Sequence, residues 1–203
     1  MERPSKKKFN HTLLVDGDAL IKTAYHGASN LYYKDTHIGG LFQFFSLLRK
    51  VITTNRFDKV FIFWDGPFSG RLRHEIYNEY KANRDKDFYN VTEPKDLSLF
   101  LQKERVKAYA EELFIRQYED EVCEADDCIG YYCSQIKDDE KVVILTNDRD
   151  MCQLIDDRVA IYILNKRTIV SKYNYGEYFD HHQSNSALIK IITGDSSDNI
   201  KGV

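Results

Sequence analysis

The sequence contains few of the residues that cross-link a chain or interrupt its helices and strands. Its 203 residues include four cysteines and three prolines, and it has no stretch rich in glycine and serine. With 42% hydrophobic residues, a chain of this length can bury a sizeable core without disulfides or structural metals. The spacing of the cysteines does not match the CxxC pairs of zinc sites and favours reduced, buried thiols. We therefore expect one domain spanning residues 1–203.

Long apolar runs and a dominant charge are also missing. No run of about 18 apolar residues is present, so the sequence predicts no membrane-spanning helix. A basic N-terminus is followed by only a short apolar stretch before Asp16, so we expect no signal peptide and a cytoplasmic protein. Lysines and arginines total 29 and aspartates and glutamates 32, which gives a net charge of −3. This sum is unusual for a nucleic-acid binder, so the distribution of the charges matters more.

Short apolar segments alternate with segments of helical length. This alternation predicts an α/β fold, with a mostly parallel central sheet flanked by helices. The predicted strands are residues 11–15, 59–64, 115–118, 141–146 and 159–164. The predicted helices are residues 39–53, 95–114, 126–136 and 186–192. An apolar stripe at helical spacing from Ala125 to Ile136 indicates that this face belongs to the core.

Acidic residues follow three of the predicted strands. Asp16 follows the first strand, Asp65 the second, and Asp148 and Asp150 the fourth. The carboxyl ends of parallel strands meet at one edge of a sheet, so these carboxylates can converge although they are far apart in sequence. Two further clusters have acids three residues apart, which share a face if their segments are helical. They consist of Glu124, Asp126 and Asp127, and of Asp195 and Asp198.

Each acid taken alone has an ordinary structural explanation, as a turn residue or as a helix N-cap. Gathering several carboxylates within about 6 Å raises their pKa values and lowers stability unless cations neutralise them. Oxygen ligands without paired histidine or cysteine favour hard ions. The sequence therefore predicts two Mg²⁺ ions, which Mn²⁺ can replace. Such ions about 4 Å apart can activate a water and stabilise the leaving oxygen of a phosphodiester.

The segment from Arg71 to Lys86 combines cationic and aromatic side chains. Acidic residues nearly cancel its charge, so a solvated helix face is the ordinary interpretation. Beside an acidic metal site, however, cations are needed to hold a phosphate backbone, and aromatic rings can stack on unpaired bases. The polar stretch at 81–92 lacks a periodic apolar face and is a candidate mobile segment over the site. The cations are Arg71, Arg73, Lys81, Arg84 and Lys86.

Five segments of the sequence, in this order, resemble motifs of the structure-specific 5′-nucleases. They read LLVDGDALIKTAYHG, FWDGPFSGRLRHEIYNEYKANRD, CEADDCIGYY, ILTNDRDMCQL and IITGDSSDNIKGV. This family comprises flap endonucleases, phage 5′-exonucleases and the N-terminal nuclease domain of bacterial DNA polymerase I. The resemblance covers residues 11–203. It implies a PIN-like sheet that carries two divalent ions, and a helical or disordered arch, here about residues 81–95, through which a 5′ single strand passes.

The resemblance also assigns roles to individual residues. Lys81 and Arg84 match the basic pair that contacts the scissile phosphate. Where the family commonly has an arginine in the first helix, this chain has Thr23, with Lys22 beside it. Arg73 matches a further basic position of the family, and with Arg71 and Lys86 of the cationic segment and Lys22 it makes up the predicted DNA contacts. The implied metal ligands and their supporting carboxylates are Asp16, Asp65, Glu124, Asp126, Asp127, Asp148, Asp150, Asp195 and Asp198.

The implied activity is hydrolysis of DNA near a 5′ flap or a junction of single strand and duplex, with RNA primers as a further substrate. A monomer in a bacterial or phage-infected cell is expected, with DNA or an RNA–DNA hybrid as its ligand. In the family, the last motif leads into a helix-hairpin-helix element that grips the duplex. That element is absent from residues 1–203, so we expect a complete metal site with a weak grip on duplex DNA. A polymerase or a separately encoded C-terminal part is the candidate protein partner.

Three alternatives remain open. A haloacid-dehalogenase-type phosphatase would use Asp16 as nucleophile and Lys166 or Lys172 as the stabilising base, but it leaves most of the other acids without a task. A related PIN-like nuclease that cuts RNA would usually lack the long insertion between Asp65 and Glu124. A branched-DNA binding module without catalysis would have no reason to keep metal ligands.

Overall fold

A computed structural model describes residues 10–82 and 94–203 of the chain. The main sheet contains β1 (Asn10–Asp16), β4 (Lys59–Trp64), β5 (Arg116–Glu119), β6 (Glu140–Thr146), β7 (Val159–Ile163) and β8 (Thr168–Val170). Its strand order is β5-β4-β1-β6-β7-β8. All neighbours are parallel except β7 and β8, which are antiparallel. The predicted mostly parallel sheet is confirmed, each predicted strand lies within one residue of an observed one, and β8 is an additional edge strand.

The helices are α1 (Gly17–Gly27), α2 (Gly39–Asn55), α3 (Arg71–Ile76), α4 (Pro94–Glu112), α5 (Ala125–Ser134) and α6 (Ser186–Thr193). The four predicted helices agree with α2, α4, α5 and α6 to within two residues, whereas α1 and α3 lie outside the predicted set. Within the described residues, no helix combines the length and the apolar character that crossing a bilayer requires.

The core lies on both faces of the sheet. In β1, Leu14 packs in one cluster with Ile129 of α5, whereas Leu13 and Val15 pack in the other cluster with α1, α2 and α4. A strand buried on both faces reads as a continuous apolar run, as this one does. The predicted core stripe of α5 is confirmed, because Ala125, Ile129 and Ile136 are all buried in the first cluster.

The strand order places one crevice at the centre of the sheet. Helices α1, α2 and α4 contribute to the cluster on one face and α5 to the cluster on the other, and β1 is hydrogen-bonded to both β4 and β6. The connections therefore change face around β1. In open α/β sheets, ligands bind outside the carboxyl ends of the strands at such a switch point.

Four short strands complete the fold. They are β2 (Tyr32–Tyr33), β3 (Thr36–His37), β9 (Gly194–Asp195) and β10 (Ile200–Lys201). Strands β9 and β10 pair antiparallel, so the segment that holds Asp195 and Asp198 is a hairpin rather than a helix. The condition for a shared helical face is therefore not met for these two acids. Most of the candidate arch lies outside the described residues, because residues 83–93 are not described.

Candidate functional site

A cleft of about 1110 Å³ lies at the carboxyl ends of β1, β4 and β6. Eight of the nine predicted carboxylates line it, Asp18 is an addition, and Asp195 lies outside the lining. The acidic lining residues are Asp16, Asp18, Asp65, Glu124, Asp126, Asp127, Asp148, Asp150 and Asp198. The cationic lining residues are Lys22, Arg73, Lys81 and Lys201. Three strand ends and the start of α5 thus bring distant acids into one cleft.

The Asp-Gly pairs after β1 and β4 are needed for close packing. Asp16 is the N-cap of α1, and its Oδ1 accepts a hydrogen bond of 2.9 Å from the Ala19 amide. A Cβ atom on Gly17 would lie 2.5 Å from the Trp64 ring, and one on Gly66 would lie 1.7 Å from the Asp120 carbonyl oxygen. Only glycine fits at either position. Each acid is therefore followed by a residue whose missing side chain lets another part of the chain pack closely beside the cleft.

Four of the acids form a group that we call the central carboxylates. They are Asp16, Asp65, Asp126 and Asp148. Neutral groups hold two of them: the Thr146 hydroxyl donates to Asp16 Oδ2 at 2.8 Å, and the Ala125 amide donates to Asp65 Oδ1 at 2.9 Å. Among the described residues, no lysine or arginine lies within 4 Å of any central carboxylate. Burial raises the pKa of Asp16 to about 6 and also raises the pKa of Asp65.

Asp126 reports the convergence of this group most directly. Burial and, to a smaller extent, the negative charges of Asp16, Asp148 and Asp65 together raise its pKa to about 8. Residues on β1, after β4, on α5 and after β6 therefore act on one another electrostatically. Carboxylates assembled without a counter-cation disfavour their own ionisation.

Four other acids, which we call the flanking carboxylates, have cationic partners. They are Glu124, Asp127, Asp150 and Asp195. Lys81 Nζ lies 2.7 Å from Glu124 Oε1, and Arg73 binds both oxygens of Asp127 at 2.9 and 2.7 Å. Lys190 of α6 contacts Asp150 at 2.7 Å and also contacts Asp195. Although burial opposes it, hydrogen bonds from Lys190 and Ser197 lower the pKa of Asp195 below its usual range.

Lys81 is fixed at the rim of the cleft. Its backbone adopts a left-handed φ of 53°, and its amide donates to the Asp198 carbonyl at 2.8 Å. Its ammonium lies 4.9 Å from the centroid of the Tyr80 ring, and the Tyr80 hydroxyl is 3.2 Å from Glu124. A non-glycine residue in this region of φ is uncommon and often marks a functional position.

The other predicted cations differ in position. Lys22 lines the cleft, and its positive charge favours the ionised form of Asp65, against the burial that raises the pKa of that carboxyl. Arg71 is exposed, pairs with Glu75 at 3.2 Å, and is not part of the lining. Arg84 and Lys86 lie outside the described residues, so their predicted roles stay predictions.

Some residues of the site were not predicted from the sequence. Asp18 is buried and lines the cleft, and Thr146 links Asp16 to the Asp148 amide, which donates to its hydroxyl oxygen at 3.0 Å. Lys103 contacts Asp18 at 2.7 Å, and Lys190 bridges two acids. Lysines on helices are usually solvated, so nothing in the sequence distinguishes these two. Asp18 could have been noticed from its position two residues after Asp16.

The donor set fits hard divalent cations. The lining offers carboxylate oxygens, which are the ligands that Mg²⁺ and Mn²⁺ prefer, and it contains no histidine or cysteine. Across residues 10–82 and 94–203, no three acidic, histidine or cysteine side chains are arranged as a ready metal cage. Amides, hydroxyls and cations hold the carboxylates individually. An ion would therefore have to draw some of them out of these contacts.

The phosphatase alternative requires a lysine beside Asp16, and neither candidate is there. Lys172 pairs with Asp157, and Lys166 lies 5.1 Å from the centroid of the Tyr178 ring. Neither lysine lines the cleft. The arrangement therefore lacks the base that this alternative assigns.

A family model described as "5′-3′ exonuclease, N-terminal resolvase-like domain" matches residues 11–183. A curated 5′-3′ exonuclease of Mycoplasmopsis pulmonis is 28% identical over 203 residues, an alignment that covers 98% of this chain and 64% of that protein. The chain thus spans a little under two thirds of that relative.

Solved structures from bacteriophage T5 have a similar fold. A T5 5′-exonuclease with bound zinc ions has a TM-score of 0.80 and 22% identity, and the match covers 96% of this chain and 70% of that one. A T5 flap endonuclease in a complex with DNA and metal ions has a TM-score of 0.73 and 22% identity, with the same coverage. These likenesses confirm the predicted fold.

Proposed function

Because the chain belongs to the family of the 5′-3′ exonuclease N-terminal resolvase-like domain, we propose that it is the catalytic domain of a structure-specific 5′-nuclease. Its reaction is hydrolysis of a phosphodiester near a 5′ flap or a junction of single strand and duplex. The observation that carries this proposal is the cleft that gathers the four central carboxylates, where burial and the charges of the other three raise the pKa of Asp126 to about 8. A cluster with that charge is suited to bind cations.

The metals proposed are two Mg²⁺ ions, which Mn²⁺ can replace. The central carboxylates would hold them together with Glu124, Asp127, Asp150 and Asp198 of the lining, and Asp195 would support Asp150 through Lys190. Bound there, divalent ions supply the positive charge that activates an attacking water and stabilises the leaving 3′ oxygen. Solved metal complexes of the T5 enzyme, which has the same fold, support this assignment.

The cations at the rim would hold the substrate. Lys81 and Arg73 bind Glu124 and Asp127 in the free protein, so their charged ends already lie beside the carboxylates. A phosphate entering the cleft can take these contacts, which places positive charge where negative charge develops in the transition state. Lys22 lies in the same lining and is a further phosphate contact. Arg84, Arg71 and Lys86 remain proposed DNA contacts.

The proposed partner is DNA with a 5′ single-stranded end or flap, or an RNA–DNA hybrid, bound by a monomer in the cytoplasm. The T5 complex with DNA supports a nucleic-acid ligand. Residues 1–203 form the proposed catalytic domain, and a polymerase or a separate C-terminal part is its proposed protein partner.

The test is cleavage by the purified chain of 5′-flap DNA, blunt duplex DNA and single-stranded RNA, each with Mg²⁺ and with EDTA. We expect Mg²⁺-dependent cleavage of flap DNA near the junction and weaker cleavage of the other two. Hydrolysis of small phosphomonoesters without DNA cleavage would contradict the proposal in favour of a phosphatase. Flap binding that is unaffected by Mg²⁺ and by Asp127→Asn, without cleavage, would identify a binding module instead.

A further inference from the structure

Asp18 is a buried carboxylate that the proposed mechanism does not use. It lies in the first turn of α1, is 7% exposed, and lines the cleft. Its Oδ2 accepts a hydrogen bond of 2.9 Å from the backbone amide of Asp65. Both oxygens also contact Lys103 Nζ, at 2.7 and 3.0 Å. Asp18 is therefore hydrogen-bonded on one side to the backbone amide of Asp65 and on the other to a lysine.

Lys103 belongs to α4, the helix that begins at Pro94. Its side chain is 18% exposed, and its ammonium lies 5.3 Å from the centroid of the Trp64 ring. Trp64 directly precedes Asp65 in the chain. Lys103 thus contacts both the Asp18 carboxylate, which accepts from the Asp65 amide, and the ring of Trp64.

A second lysine on α4 provides an internal comparison. Lys107, one turn further along, also lies near the Trp64 ring, at 5.6 Å from its centroid. It pairs with Glu119 at 2.8 Å, and neither of these two residues lines the cleft. The two lysines share a helix and an aromatic neighbour but differ in whether their acid belongs to the site.

The charge of Asp18 would act on the central carboxylates if nothing opposed it. With Lys103 removed, Asp18 would carry an uncompensated negative charge beside Asp65, and it could leave the Asp65 amide to become an additional oxygen ligand. In either case the central carboxylates would bind a divalent ion more tightly but in a different position. Groups behind metal ligands commonly set both the affinity and the geometry of a site.

We propose that Lys103 is a positioning residue that neutralises Asp18 and keeps it as an anchor for the Asp65 backbone rather than a ligand. This inference rests on the proposed function of the cleft as a divalent-metal site. It also makes α4 a part of the site, although none of the described α4 side chains lines the cleft.

The test measures Mn²⁺ affinity, by calorimetry and by the fluorescence of Trp64, which is the single tryptophan of the chain. We expect Lys103→Met to bind Mn²⁺ about threefold more tightly or more, because one positive charge near the ion is lost. At saturating Mn²⁺, its turnover of flap DNA should fall about tenfold, since the ion is misplaced. Lys107→Met should match the parent in both measurements, and Lys103→Arg should restore both.

A purely structural salt bridge would lower stability without changing Mn²⁺ affinity in the folded protein, and that result for Lys103→Met would overturn the inference. The variant Asp18→Asn with Lys103→Met removes both charges and should return the affinity to within about twofold of the parent. If Lys103→Met does not fold, Asp18→Asn alone should weaken Mn²⁺ binding about threefold or more, and unchanged affinity would overturn the inference. Absence of Mn²⁺ binding by the parent chain would overturn the proposed function as well.

Discussion

The central and the flanking carboxylates lie in the same region but differ in whether a lysine or arginine offsets their negative charge. Asp16 and Asp65 are held by a hydroxyl and a backbone amide, and burial raises their pKa values. Glu124 and Asp150 are instead neutralised by Lys81 and Lys190. An external cation can therefore neutralise the first group, whereas lysines and arginines of the chain already neutralise the second.

This difference suggests an order of events. A divalent ion that binds the central carboxylates removes a repulsion, so its binding is favoured from the start. An ion or a phosphate that approaches the flanking carboxylates must exchange partners with a lysine or arginine. Substrate binding is suited to that exchange, because a phosphate offers the displaced cation a new anionic partner.

The largest expected effect comes from removing a central carboxylate. Asp126→Asn should reduce flap cleavage about 1000-fold or more, because the site loses a ligand and part of the charge that binds the ions. In EDTA at pH 8, however, the variant should be more stable than the parent, because it removes a carboxyl whose pKa is raised to about 8 by burial and by the neighbouring negative charges. Cleavage assays and thermal melts test the two parts. A variant that is both active and destabilised would contradict the grouping.

Removing a rim cation should have a smaller effect on activity. Lys81→Ala should lower turnover about 100-fold, as expected when a preorganised charge contact is lost, with folding little changed. Lys50→Ala is the matched control, since Lys50 of α2 is exposed and lies outside the cleft lining. Nearly unchanged turnover in Lys81→Ala, or an equal loss in both variants, would refute the assigned role.

The central carboxylates should also make stability depend on pH in the absence of metal. A carboxyl whose folded pKa is raised keeps its proton in the native state, so stability falls as pH rises from the unfolded pKa to the folded one. For Asp126 this window runs from 3.8 to about 8, and for Asp16 from 3.8 to about 6.

Melting temperatures of the parent and of Asp126→Asn, measured in EDTA from pH 4 to pH 8, isolate this contribution. The two curves should coincide near pH 4 and diverge by about 4 °C or more at pH 8, with the parent less stable. Saturating Mg²⁺ should raise the melting temperature of the parent more than that of the variant. Parallel curves across the whole range would argue against convergence of the acids.

The smallest expected effect concerns a flanking pair. Lys190→Met should lower the melting temperature in EDTA by about 1–3 °C, because Asp150 and Asp195 lose their shared cation, and Mg²⁺ should reduce the difference. Lys172→Met removes a pair with Asp157 that does not contact the cleft, so it serves as the control. Its effect should be the same with and without Mg²⁺. Equal responses of the two variants to Mg²⁺ would contradict the account.

The sequence predicted the strands of the sheet and the site residues that directly follow a strand. Apolar runs located β1, β4 and β6, and the acids at their ends converge because parallel strands finish at one edge. The partners of those acids were not predictable in the same way. Lys103 and Lys190 contact carboxylates 85 and 40 residues away in sequence, and only the packing of α4 and α6 brings them there.

Two further details depended on local geometry that the sequence does not reveal. The pairing of β9 with β10 turns the segment around Asp195 into a hairpin, so the spacing argument, which was conditional on a helix, does not apply there. The glycines after Asp16 and Asp65 looked like ordinary turn residues, whereas the close approach of Trp64 and of the Asp120 carbonyl explains both.

Crystals of the chain soaked in Mn²⁺, with anomalous diffraction recorded at the manganese absorption edge, test the central claim most directly. We predict anomalous density coordinated by Asp16, Asp65, Asp126 and Asp148, with a second ion toward the flanking carboxylates. Manganese bound only elsewhere on the surface, with these four side chains unchanged, would contradict the claim that they form a metal site.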